Sequence, residues 1–570
     1  MIMVFLNWLY IGITSFLTGY AVLSLFTRFF PYKISYRISY CLAGLATLTV
    51  YAQIYSLFAG VSMYANSLLC LICIVITFVW KKEIGAFFAE WFTEIRQKKG
   101  LWIVYGLLAT LFLFGTSRGY MHFDTGLYHA QSIRWIEEYG VVPGLGNLHI
   151  RFAYNSASFA LNALYSMKWI FGQSMHTTAG FLAFLSACLT LDLYKIVTEK
   201  RIKVSDFCRI ALVYYLASIF GEMVSPASDY YAQLLILDVL ILWTTLDEKY
   251  EKEQKTKVEP YALCCILLVY ALSIKFSIGF LLLLVIKPAV MLIKKKDIKQ
   301  IITCLVTGIV VIAPFMIRNY VISGWLIYPS TFPDLFNPDW KIPKGQAQYD
   351  AHEIAAYGKG LNDAAKWDTP FMDWIGVWFR QLKTIEKMWV FLSAAALLFG
   401  LMYIIVKLIR NGKQKMEMNF ILVFAVMSIS ALFWFLQAPL IRYGYAYITL
   451  LPMITFGYLY NWVQSDVLSN DKMKKWIFRL SGFVLLLFLL FNVKVIGNSI
   501  ITSYSQPYYI TQEDYIDGEA TTYEIDGIII YVPVTQGQIG YNKFPSSPVI
   551  QNIELRGATI KEGFRTKKEK

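Results

Sequence analysis

Runs of apolar residues long enough to cross a bilayer recur along this 570-residue chain, and they restrict its fold more than any other feature. A spanning helix needs about 20 predominantly apolar residues. Inside lipid, only helices and closed barrels satisfy every backbone donor and acceptor. These runs are solid rather than alternating, which argues against a transmembrane β-barrel and for an all-α polytopic membrane protein. Only 16% of residues are charged and 57% are hydrophobic, whereas a soluble domain carries about 25% charged residues.

The net charge of +14 follows topology. Basic residues cluster between apolar runs, as at Lys81, Lys82, Arg96, Lys98 and Lys99, at Lys200, Arg201 and Lys203, and at Lys294, Lys295, Lys296 and Lys299. Further clusters lie at 249–257, 407–415 and 472–479. This is the positive-inside pattern of cytoplasmic loops, so no nucleic-acid partner is expected. Anchoring the runs by these lysines predicts about fourteen spans: 3–27, 38–59, 67–80, 101–118, 176–197, 207–223, 231–246, 261–275, 276–293, 301–317, 388–406, 419–436, 444–462 and 480–497. Both termini then lie on the non-cytoplasmic side. Residues 157–172 are apolar but short, and read as a half-membrane or re-entrant helix, an element that usually lines a cavity.

All eight cysteines lie in or beside apolar runs, so no external disulfide framework is expected. The first run reads as a retained span rather than a cleaved signal. The chain divides into N-terminal spans (1–100), a core (101–497) with external loops at 119–156 and 318–387, and an external C-terminal module (498–570). In the last, residues 525–538 read as a short strand with turn punctuation.

Polar chemistry concentrates in residues 118–158, which hold three of the five histidines (His122, His129, His149) with Asp124, Arg134, Glu137, Glu138 and Arg151. Leu127, Ala130 and Ile133 recur at helical spacing, and Trp135 and Tyr139 suit a membrane interface, so this segment predicts an amphipathic helix lying on the membrane with Asp124 at its start. A carboxylate there is either a helix cap or a reactive group. His122, Asp124 and His129 also offer a weak divalent-cation spacing. No phosphate-binding G-x-x-x-x-G-K-[ST] motif, HExxH or paired CxxC motif occurs.

The order of several motifs resembles the GT-C superfamily of membrane glycosyltransferases. Asp124 with Tyr128 follows a span. The helix ends at residues 138–140, and LYSMKWIFGQSMHTTAGFLAFLSACL comes next. LSIKFSIGFLLLL resembles the family's lysine-bearing tight helix pair, RNYVISGWLIYPS its approach to a large external loop, and PLIRYGYAY its late Arg-Tyr segment. The resemblance covers roughly residues 100–460; the three spans before it and the tail are additions. The whole chain also resembles bacterial membrane proteins with an Arg-Gly…Gly-Phe tail, here Arg556-Gly557 and Gly563-Phe564.

The resemblance implies an enzyme of the bacterial inner membrane with its active site facing outward. A sugar would pass from a polyprenyl-phosphate donor to an envelope glycan or lipid acceptor. Asp124 would be the base, with His129 as helper or as a structural hydrogen-bonding group. Tyr128 and Asp229 would bind substrate, Asp229 alternatively serving as a turn residue. Arg151, Lys275, Arg318 and Arg442 would bind phosphate, although each alone also reads as a snorkelling side chain. The loop at 318–387 is expected to hold short helices and either to close over the site or to serve as a passive cover. The rival readings are a lipid-linked glycan transporter, a polysaccharide polymerase and a non-enzymatic envelope assembly protein. A transporter would place charges along a crossing path, whereas here ionisable residues are expected to gather at one face.

Overall fold

Each apolar run becomes a helix, because a helix satisfies its own backbone while presenting side chains to lipid or to neighbouring helices. The computed structural model describes residues 1–252, 257–411, 418–504, 508–534 and 537–567. Parts of the expected basic loops at 249–257 and 407–415 lie outside the described residues. Eleven described helices are long and apolar enough to span, or twelve if the bent pair Met63–Val79 and Lys81–Gln97 is one span. This is fewer than the fourteen expected. Met63–Val79 meets Lys81–Gln97 at 84°, and Tyr261–Ile274 is short. The helix Ile441–Trp462 holds Arg442 and five tyrosines, which lower its apolar character. The short stretch at 157–172 forms two short helices, Ala157–Tyr165 and Lys168–Phe171, separated by the left-handed Met167.

A continuous apolar core runs from Val4 in the first helix to Phe564 in the last strand. Charge is buried at more than one level. Arg209 pairs with Asp206 and Asp192, Asp247 with Lys287, and Asp238 is fully buried against Ser186. The expectation that ionisable residues gather at one face is therefore corrected.

The tail is no separate appendage. Its Asp526-Gly527 turn, with both residues in the left-handed region, suits a two-residue hairpin. It joins β1 (Ala520–Ile525) to β2 (Ile528–Pro533), which pair antiparallel. β3 (Ile553–Leu555) pairs with β4 (Phe564–Thr566). The Met1 ammonium donates to the carbonyls of Tyr508 and Thr511 at 2.6 and 2.8 Å, so the chain's beginning sits on the tail. The Phe564 amide donates to Pro143 O at 3.0 Å. A Cβ on Gly563 would stand 2.0 Å from that carbonyl, and one on Gly144 2.1 Å from Phe564 O. Both glycines have positive φ, so the Gly-Phe end of the tail pattern is a docking joint.

This docking corrects the reading of the amphipathic helix. Ala130–Glu138 forms, but Trp135 is 0% exposed and packs on Phe544 and Phe564. The helix is covered by the tail rather than laid on a membrane. Trp135→Ala is expected to cost about 3–5 kcal/mol, as for other buried large-to-small changes. Denaturant unfolding of the detergent-purified protein measures it, and a loss below ~1 kcal/mol would restore the membrane-facing reading.

Candidate active site

Asp124 lies in a helical run that widens into a five-residue turn over Thr125–His129. Such π-turns are rare and occur frequently at functional sites. The Asp124 side chain makes no cap hydrogen bond. Its Oδ2 instead accepts from Arg442 Nη2 at 2.7 Å. Thr125 binds Ser225 at 2.6 Å, which ties this turn to the chain just before Asp229.

Arg442 sits in the first turn of Ile441–Trp462, and Asp229 in the first turn of Ser228–Lys252. Gln233, one turn on from Asp229 and fully buried, holds the two helices in register. It donates to Tyr443 O at 2.8 Å and accepts from the Ala446 amide at 2.7 Å. Arg442 Nε thus faces Asp229 at 3.5 Å, and its other nitrogens contact Asp124, His122 and the Tyr443 hydroxyl. Lys275 stands in extended backbone between Tyr261–Ile274 and the 3-10 helix Phe276–Val285. It pairs with Asp229 and lies 3.5 Å from the centre of the Tyr443 ring. Two carboxylates and two cations thereby share one network.

Burial alone would raise the Asp124 carboxyl, but the Arg442 guanidinium, with smaller contributions from His129, His122 and Arg151, holds the acid below its usual range. Burial and the same guanidinium push His122 down, so the imidazole favours its neutral form. His122 lies two residues before Asp124, 3.7 Å from its carboxylate.

Arg442, Asp229 and His122 line a cavity of about 400 Å³, within the range of small-molecule sites. Its other walls include Glu222, Tyr230, Tyr357, Trp378, Gln381 and Glu386, none of which sequence reasoning singled out. Tyr357, Trp378 and Gln381 come from the large loop, whose limits are 324–383 because the flanking helices reach Ser323 and begin at Thr384. That loop holds the helices Lys344–Gly358 and Phe371–Gln381. Trp378 fixes the second by donating to Pro439 O at 2.6 Å, just before Arg442.

The remaining expected residues lie apart from this network. His129 is 3% exposed, packed against Tyr128 and Phe159, and its Nδ1 faces Thr125 at 3.4 Å. Burial pushes it down to about 3. Tyr128 packs on Tyr154. Arg151 pairs with Glu353 at 3.1 Å beside Asp350, which accepts from Tyr154 and Tyr328. Arg318 is 2% exposed and bonds to Asn155 and Ser56, neutral partners inside the core. Among the described residues no group of three or more His, Cys, Asp or Glu is arranged to hold a metal ion. Arg442 supplies the cation that His122 and Asp124 share.

A family model described as a domain of unknown function, DUF8201, matches residues 1–449. The chain belongs to the DUF8201 family. No curated protein and no solved structure matches the chain. The DUF8201 match contains Asp124, Asp229, Lys275 and Arg442, and stops before the tail.

At the far end of the loop, the Glu137 carboxylate accepts from Tyr541 of the tail and from Ser174. Burial pushes Glu137 up to about 7. An exposed glutamate titrates near ~4.3, so between these limits the folded chain holds the extra proton and the docked state loses stability as pH rises and the buried carboxyl ionises. Limited proteolysis of residues 508–567 is expected to be faster at about pH 8.5 than at about pH 6. Glu137→Gln should flatten that dependence; the same dependence in the variant would assign it to another group.

Proposed function

We propose that the chain is a membrane glycosyltransferase that moves a sugar from a polyprenyl-phosphate donor to an envelope glycan or lipid acceptor. The observation that carries this reading is the meeting of Asp124, Asp229, Lys275 and Arg442 in one charged network, of which Asp229 and Arg442 line the cavity. It supplies a carboxylate for the acceptor proton and two cations for the departing phosphate. In the proposed step the acceptor hydroxyl oxygen attacks the anomeric carbon. The bond from that carbon to the phosphate oxygen breaks, polyprenyl phosphate leaves with the electron pair, and Asp124 takes the hydroxyl proton.

Arg442 has two parts in this scheme. Without donor it is the largest of the charges that favour ionised Asp124. A phosphate that takes guanidinium donors would weaken the hold on Asp124, and its proton affinity would rise as the acceptor arrives. An arginine suits this exchange because its planar fork binds carboxylate and phosphate alike. The site would face the exterior of the bacterial inner membrane.

Asp124→Asn keeps the size of the side chain and removes the proton acceptor. Loss of a general base costs ~10²–10⁴-fold in rate. Radiolabelled sugar transfer in membranes carrying the wild-type or variant protein measures this, with Asp124→Glu expected to fail as well through misplacement. Normally inserted Asp124→Asn protein with wild-type activity would remove the base. Impermeant thiol labelling of single cysteines is expected to reach positions 124 and 517 from outside and position 203 only from the cytoplasm; cytoplasmic labelling at 124 would end the enzymatic reading.

A further inference from the structure

We propose that the C-terminal tail positions the proposed base, with Gln538 and the Gly540 amide as the positioning groups; this rests on the reading of Asp124 above. Gln538 Nε2 donates to Phe123 O at 3.2 Å, and the Gly540 amide donates to Gly126 O at 3.0 Å. These carbonyls flank Asp124 by one residue before and two after. The tail therefore grips the backbone on both sides of the carboxylate, where the helix widens.

The grip is built on both partners. A Cβ on Gly126 would lie 2.0 Å from Gln538 Oε1, so the amide crosses the loop only because residue 126 has no side chain. Gly540 has positive φ, and a Cβ there would stand 2.1 Å from Asp517 Oδ1. Asp517 accepts from the Tyr541 and Asn542 amides at 2.6 and 2.9 Å, which sets the tail's turn. Beyond it, Arg134 donates to Tyr541 O and Asn542 O, both at 2.7 Å, and Gln131 to Lys543 O at 2.8 Å. Tyr541 reaches Glu137 below the surface. The helix after Asp124 is thus fastened along its length, while Arg442 holds the carboxylate itself. A misplacement of ~1 Å at a reacting group can cost about 10²-fold in rate. A tail outside the family match would then set how well the matched core works.

Two variants of the full chain test this from opposite sides. Gln538→Glu keeps the side-chain size but removes the donor to Phe123 O. Gly126→Ala displaces the Gln538 amide without substituting any tail residue. Both proteins are expected to fold and insert, with hydrogen exchange of amides 123–130 faster by about tenfold. With radiolabelled polyprenyl-phosphate hexoses from the source membranes as probe, kcat should fall about 10–100-fold, and KM for the donor should change less than about twofold. Wild-type exchange at 123–130 in both variants would overturn the proposal, as would faster exchange with unchanged kcat. Failure of the parent reading looks different, because it appears as full activity in Asp124→Asn whatever the exchange rates show.

Discussion

The joint of the molecule is a guanidinium. Arg442 touches Asp124, Asp229, His122 and Tyr443, and through Asp229 it reaches Lys275. Four distant stretches of chain therefore meet on one delocalised charge. Withdrawing charges from water costs several kcal/mol for each ion, and removing one partner of a buried pair leaves the other uncompensated. The loop carrying Asp124, the start of Ser228–Lys252, the break at Lys275 and the start of Ile441–Trp462 are thus fixed relative to one another by mutual need. Gln233 supports the same arrangement with uncharged bonds between two of these helices.

The contrast with Arg318 is instructive. It is buried more deeply, yet its bonds are to Asn155 and Ser56, and it braces helices instead of meeting carboxylates. Arg209 and Lys287, by comparison, are paired with acids at other points of the bundle. A cation in an apolar protein is therefore not by itself a mark of chemistry. What separates Arg442 is its place on a cavity wall together with two acids that also approach it.

Much of the helical layout was legible in the sequence because hydrophobicity and lysine placement are properties of consecutive residues. The break at Lys275 follows from local pattern in the same way, whereas the stretch at 157–172, expected as one short helix, divides into two. Eleven or twelve of the fourteen expected spans meet simple length and apolarity, while tyrosine-rich Ile441–Trp462 and the short Tyr261–Ile274 fall outside that measure. The burial of Trp135 was not legible, because an aromatic that could face lipid carries no sign that Phe544 and Phe564 will cover it. Among the site candidates, Asp124, Asp229, Lys275 and Arg442 come together in space, while Arg151 and Arg318 bind elsewhere. Glu222, Trp378 and Glu386 went unremarked, since only the folded packing brings them to one surface.

The seam between tail and loop has a consequence in time. Its hydrogen bonds include Tyr541 to Glu137 and Phe564 to Pro143, which join residues 404 and 421 positions apart. A ribosome adding ~5–20 residues per second needs about 20–80 s to cover that distance. Throughout that interval the segment around Asp124 exists without its covering strands, and Trp135 has no Phe564 to meet. The loop is made long before the strands that complete it, so a newly made copy acquires its final shape there only after residues 538–566 emerge.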